Sequence, residues 1–243
     1  MPPESVAPRY HRPMTSTSTV KRRQSAPDLS LERAASGLVA GIDEAGRGPW
    51  AGPVVAAAVI LDAGRLSHEL ATGLDDSKKL SPERRAALFA ALAGHTRIGS
   101  GRIGIGAASA PLIDEINVLA ATMRAMGRAV AALGVVPDLA LVDGNRLPEL
   151  PCPARAVVGS DGKSLSIAAA SIVAKVPRDR IMAALAARYP GFGWDTNAGY
   201  GTARHRDALE ALGVTRHHRR SFAPVHKMLS QHRVWTRHIV ISP

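Results

Sequence analysis

The chain has 243 residues, 46% hydrophobic but only 4% aromatic, with one cysteine and a formal net charge of +11. That length holds one domain of ordinary size plus tails, with a core built mainly from Ala, Val, Leu and Ile. The lone Cys152 excludes an internal disulfide and suits a reducing cytoplasm, no secretory signal is visible, and no aliphatic run nears the ~20 residues of a membrane span.

The positive charge sits at the ends. Residues 1–36 carry six Lys/Arg against three acids, and residues 213–243 carry six Lys/Arg and no acid, so the middle is nearly balanced. Such a distribution suits a nucleic-acid partner, and equally a soluble protein with basic tails. Residues 1–36, rich in Pro, Ser, Thr and Arg and without apolar periodicity, are expected to form a disordered arm. The arm also resembles an organelle transit peptide, although its prolines argue against an amphipathic helix, and Met14 is an alternative start. The folded domain is expected over 37–226, and a basic tail without motif over 227–243.

Two apolar runs, Leu38–Ala40 and Val54–Leu61, read as buried strands flanking Gly41-Ile42-Asp43-Glu44-Ala45-Gly46-Arg47-Gly48-Pro49-Trp50-Ala51-Gly52-Pro53. Carboxylates are costly to bury unpaired, so Asp43 and Glu44 ask for a cation. Gly46 and Gly48 offer bare N–H groups to a phosphate, and Arg47 adds a positive charge. Taken alone, the pair is most simply an acidic strand end turning through a glycine loop. Neighbouring strand residues point to opposite faces, so both acids serve one site only if the chain leaves regular geometry at Glu44.

Downstream, Asp75-Asp76-Ser77-Lys78-Lys79 is a polar loop, and Ser81-Pro82-Glu83 opens a helix that Gly94 is expected to end. A third strand is expected near Arg97–Ile105, with glycines alternating on one face. Ala110–Leu133 carries Ile113, Ile116, Leu119, Ala120 and Met123 at helical spacing. Its Asp114 and Glu115 suit the helix dipole and receive no chemistry. Leu139–Val142 is a short buried strand ending in Asp143-Gly144-Asn145, a position that often belongs to a site.

Ala154–Val158 is a further strand, followed by Gly159-Ser160-Asp161-Gly162-Lys163-Ser164 and a helix from about Ser166. A phosphate-binding P-loop would need glycine at position 157, which is Val. Tyr189-Pro190-Gly191 closes that helix, and Asn197–Thr202 is a second glycine-flanked loop carrying Tyr200. Ala203–Leu212 is a short helix. His217-His218-Arg219-Arg220 and the later histidines lack metal spacing and read as basic surface.

GIDEAGRGPWAGPVVAAAVIL resembles the opening strand pair of the type 2 ribonuclease H family, bacterial ribonuclease HII. The resemblance continues through DDSKKLSPERR, IDEINVLAATMRAM, LVDGN, SDGKSLSIAAASIVAKVPRD, NAGYGT and HRRSFAPV, from Leu38 to Val225. It implies an α/β ribonuclease H-like fold: a mixed sheet flanked by helices, with a helical C-terminal extension. It also implies four catalytic and metal-binding acids: Asp43, Glu44, Asp143 and Asp161. Oxygen-only ligands suit Mg²⁺ or Mn²⁺, and two ions about 4 Å apart can activate water and stabilise the leaving oxygen.

The implied activity is endonucleolytic cutting of RNA in RNA–DNA hybrids and of single ribonucleotides in duplex DNA, leaving 3′-hydroxyl and 5′-phosphate ends. Its implied use is ribonucleotide and RNA primer removal by a cytoplasmic monomer. Gly46, Arg47, Gly48 and Tyr200 are the implied readers of the 2′-hydroxyl, with Lys78, Lys79 and Ser164 as further substrate contacts. The family commonly has a lysine where this chain has Ala198. Two rivals stay open: another metal-dependent nuclease or recombinase on the same fold, and a non-catalytic hybrid-binding module.

Overall fold

The computed structural model describes residues 26–74, 80–97, 101–159 and 163–238, with 231–238 described by backbone alone. Among the described residues five strands form one sheet in the order β3-β2-β1-β4-β5: β1 (Val39–Ala45), β2 (Val54–Leu61), β3 (Gly101–Ala108), β4 (Leu139–Asp143) and β5 (Ala154–Val157). β1, β2 and β3 pair antiparallel, whereas β1, β4 and β5 run parallel. The sheet is therefore mixed, as expected.

The apolar run of β2 is buried on both faces because helices cover both. α4 (Ala110–Ala131) packs on one face, where Ile113, Ala125 and Met126 meet Ala40, Ile42, Ala56 and Ala58. α5 (Leu165–Arg188) packs on the other, joined by α2 (His68–Gly73) and α3 (Pro82–Arg97) around Ala57 and Val59. Most of these contacts are alanine or branched aliphatic, as an aromatic-poor chain requires. The glycines expected on one face of β3 admit α4 closely: a Cβ at Gly104 or Gly106 would fall 2.0 Å or 2.1 Å from the helix carbonyls of Ala129 or Ala125. A third cluster joins α6 (Trp194–Asn197), α7 (Ala203–Leu212) and α8 (Ala223–His238) through Trp194, Phe192, Leu209 and Val225. Among the described residues no helix is long and apolar enough to cross a membrane.

Several boundaries differ from expectation. α3 continues through Gly94, where nothing crowds the chain, and a mid-helix glycine costs only about 1 kcal/mol. The third strand accordingly starts at Gly101. α4 breaks at Asn117 (φ 66°, ψ 164°), whose Oδ1 accepts from the Leu119 and Ala120 amides at 3.0 Å each and restarts the helix as a cap.

The arm was expected to lack structure to residue 36, and its first 25 residues lie outside the described set. Residues 26–36 do not follow that expectation. Leu29 is buried, α1 (Ser30–Arg33) forms one turn, and Glu32 Oε1 accepts from Ser166 N (2.9 Å), Ser166 Oγ (2.6 Å) and Ser164 Oγ (2.7 Å). The short segment is held by this carboxylate at the start of α5, where amides lack helical partners. The tail expected from residue 227 instead continues α8 to His238.

Candidate active site

Parallel pairing of β1 with β4 ends at Ile42↔Val142, so Asp43 and Asp143 emerge side by side at the carboxyl ends of adjacent strands. In α/β sheets this is where ligands bind. β1 stays regular through Ala45 and the chain departs only at Gly46 (φ 94°), so the condition of a departure at Glu44 is not met, yet at the strand's end the Glu44 charge still acts on Asp43. Asp43 lies on the α5 face, where Ser171 bonds its carboxylate, and its Oδ1 also accepts from the Glu44 amide at 2.6 Å. Glu44 Oε1 pairs with Arg47 Nη1 at 3.2 Å. Burial pushes the Asp43 carboxyl well above the usual range, and the charges of Glu44 and Asp143 push it further.

Among the described residues no three carboxylate, imidazole or thiol groups converge tightly enough to hold an ion. Asp161, the fourth expected acid, lies outside the described residues, as do Lys78 and Lys79. The donors present still fit a hard divalent cation. They are all carboxylate oxygens, and their mutual repulsion at Asp43 is what such a cation relieves.

Beside the acids, three separated segments are stitched into one rim. Trp50 N and Ala51 N donate to Gly199 O (2.8 and 3.3 Å), Gly52 N donates to His217 O (2.9 Å), and Ala51 bridges to His218. This brings the Gly46-Arg47-Gly48 turn against the Asn197–Thr202 loop. A Cβ at Gly48 would lie 3.4 Å from Tyr200 Cε1, and the Tyr200 side of the rim is open, with that residue 49% exposed. The two groups expected to read one ribose are thus neighbours in space, although about 150 residues apart in sequence.

Two buried arginines hold this rim from beneath. Arg219 donates to Gly46 O (2.5 Å), Arg47 O (2.7 Å) and Gly52 O (3.0 and 3.1 Å). Arg178 donates to Pro53 O (3.2 Å) and Ala198 O (3.0 Å). Gly46 is required here, because a Cβ would fall 1.9 Å from Arg178 Nε. Among the described residues neither guanidinium makes an ion pair. Burial, with the neighbouring Arg178 charge, lowers the Arg219 pKa to about 9.

A histidine pair completes the support. One proton assignment satisfies every contact. His205 Nδ1–H donates to Tyr200 O (2.9 Å), while His205 Nε2 accepts from Trp194 Nε1 (3.2 Å) and His218 Nε2 (3.0 Å). His218 Nδ1 accepts from Thr215 N and Oγ1, both at 3.0 Å. Both rings are then neutral. Burial, with the neighbouring imidazoles, drives His218 down to about 3, and burial lowers His205 as well.

The expected residues divide accordingly. Asp43, Glu44 and Asp143 share one strand end, and Gly46, Arg47, Gly48 and Tyr200 share one rim. Ser164, expected as a substrate contact, is instead fully buried; it caps α5 through Ile167 N (3.2 Å) and donates to Glu32. His218 and Arg219, expected on a basic surface, are buried because carbonyls and a second histidine satisfy them. Asp114, given no role, accepts from Arg220 N (2.9 Å), Ser221 N (2.8 Å) and Ser221 Oγ (2.7 Å), tying α4 to the segment that carries Arg219. Arg178 and His205 drew no attention in the sequence.

The family model for ribonuclease HII matches residues 40–225. The ribonuclease HII of Rhodospirillum rubrum is 62% identical over 205 residues, 84% of this chain and 93% of that protein. That of Paramagnetospirillum magneticum is 63% identical over 199 residues, 82% and 96% of the two chains. Among solved structures, ribonuclease H2 from Pyrococcus horikoshii superposes with a TM-score of 0.67 at 27% identity, over 81% of this chain and 99% of that one. The expected ribonuclease H-like fold is therefore present. Because the match runs from the first acidic strand through the arginine that underpins the rim, the chain belongs to the ribonuclease HII family of endoribonucleases.

Proposed function

We propose that this chain hydrolyses the RNA strand of RNA–DNA hybrids and incises on the 5′ side of single ribonucleotides in duplex DNA. The observation that carries the proposal is the junction of two features at one strand end. The acids of β1 and β4 lie beside a glycine turn whose Gly48 faces Tyr200. Asp43, Glu44, Asp143 and Asp161 would hold two Mg²⁺ or Mn²⁺ ions. Bound there, such ions supply a nucleophile at neutral pH and stabilise charge on the leaving 3′-oxygen.

The chain's own groups do the rest. The Asp43 carboxylate, central among the acids, is the candidate shared ligand, and Ser171 keeps it aimed. The Gly46–Gly48 backbone offers N–H groups to the ribose and its phosphate. The Tyr200 phenol hydrogen-bonds the 2′-hydroxyl while its ring packs on the sugar, which separates RNA from DNA. Arg47, exposed apart from its contact with Glu44, reaches the phosphate. The products are a 3′-hydroxyl and a 5′-phosphate.

Matched duplexes carrying zero, one or four ribonucleotides, each with and without Mg²⁺, test this reading. Cutting is expected only with both ribonucleotide and ion. Cleavage of the all-DNA duplex would favour a general nuclease on this fold, and hybrid binding without any cleavage would favour a binding module.

A further inference from the structure

The supports beneath the rim share one origin. The segment Thr215–Arg219 sends Arg219 to the carbonyls of Gly46, Arg47 and Gly52, and His218 through His205 to the carbonyl of Tyr200. The Arg219 amide also donates to Trp50 O at 2.8 Å. One short segment therefore holds the glycine turn with one prong and the tyrosine loop with the other.

The chemistry of the prongs favours positioning over mere stability. Arg219 commits its donors to the backbone carbonyls of Gly46, Arg47 and Gly52 and leaves the turn's N–H groups untouched by this side chain. A planar guanidinium fixes several carbonyls at once in a rigid fork, whereas an ammonium's three donors rotate freely. The His205–His218 pair has no spare polar atom, so each ring is confined to one orientation and one tautomer. Neither prong touches the acids.

We infer that Arg219 and His205, linked through His218, are positioning residues that set the spacing between the Gly46–Gly48 backbone and the Tyr200 phenol, and through it the reading of the 2′-hydroxyl. The inference rests on the ribose reading proposed above. Arg219→Lys keeps a charge but loses the fork. His205→Gln places its amide near Nε2 and loses the donor to Tyr200 O, whereas His205→Asn places an amide N–H near Nδ1 and keeps it.

The test is a double-mutant cycle on a duplex with one ribonucleotide, at saturating Mg²⁺ and below each variant's melting temperature. Tyr200→Phe alone is expected to lower kcat/KM about three- to tenfold. Arg219→Lys is expected to lower it about ten- to a hundredfold, and most of the Tyr200→Phe effect should vanish in that background. A purely structural defect would leave the two effects additive. His205→Gln should behave like Arg219→Lys, and His205→Asn should recover most of the activity.

If Arg219→Lys does not fold, the His205 pair decides alone: impairment by Gln with recovery by Asn supports the bracket, and equal behaviour overturns it. Tyr200→Phe without effect would overturn the ribose reading and the bracket with it. An impaired Tyr200→Phe that stays additive with Arg219→Lys and His205→Gln would overturn the bracket alone.

Discussion

The acidic strand end and the basic bracket beside it are opposite solutions to holding charge and polarity inside a protein. At the strand end, Asp43, Glu44 and Asp143 crowd like charges together, and the protein leaves Asp43 protonated more readily than an ordinary carboxylate. In the bracket, Arg219, Arg178, His205 and His218 are satisfied by carbonyls, an indole and a hydroxyl, all within the chain. In the proposed function the first region is completed by ions from solution, whereas the groups of the second are met within the chain. Like charges crowded at a strand end are thus mounted on a frame whose polar groups are met within the chain.

The sharpest way to break this contrast is to remove charge from the first region. Asp143→Asn keeps the shape and is expected to lower cleavage by orders of magnitude, with hybrid binding kept or tightened because phosphate repulsion falls. Gel-shift titration and single-turnover cleavage at saturating Mg²⁺ measure the two separately. Near wild-type cleavage would mean that the charge at β4 is not part of the chemistry.

Glu32 extends the comparison to a carboxylate held by the protein: its Oε1 accepts from both serines at the start of α5, while its Oε2 is buried with no hydrogen-bond partner among the described residues. Deleting residues 1–25 should leave the urea midpoint unchanged. Deleting 1–36 also removes Leu29 from the core and Glu32 from α5, and should cost about 3 kcal/mol. Equal midpoints for the two truncations would show that the α1 contacts add nothing.

The bracket carries its own pH signature. His218 has a folded pKa of about 3, below its ordinary 6.5, so it stays neutral in the fold where the unfolded chain would bind a proton. Its contribution to stability is complete above pH 6.5 and is lost as pH falls from 6.5 toward 3, and His205 shifts in the same direction. Each pH unit in that window should cost about 1.4 kcal/mol for such a histidine. Urea unfolding at pH 7 and pH 5 should show a smaller loss in His218→Gln than in the unaltered chain. Parallel losses would contradict the neutral pair.

The two regions were unequally legible in sequence. Asp43 and Asp143 could be found because strands announce themselves as apolar runs, and their ends are countable. β1, β2, β4, α4 and α7 lie close to where periodicity and capping residues put them. Arg219 and Arg178 could not be found, because an arginine is usually exposed and its carbonyl partners leave no mark in a sequence. His205 and Trp194 are eleven residues apart and meet His218 only through the fold. Asp114 looked like a helix-dipole acid, since nothing local indicates that Arg220 and Ser221 come to it. The family resemblance implies a substrate contact at Ser164, but capping α5 and donating to Glu32 occupy its hydroxyl. The glycines were half legible: their freedom could be read at Gly46, but not the arginine that excludes a side chain there.

The proposed function requires recognition by the rim and scission at the acids to be one step apart. An end-labelled DNA duplex with a single internal ribonucleotide tests it directly, with product ends mapped at nucleotide resolution in Mg²⁺. One cut is expected on the 5′ side of the ribonucleotide, leaving it at the 5′ end of the downstream piece. No cut there, alongside efficient cleavage of a four-ribonucleotide duplex, would contradict it.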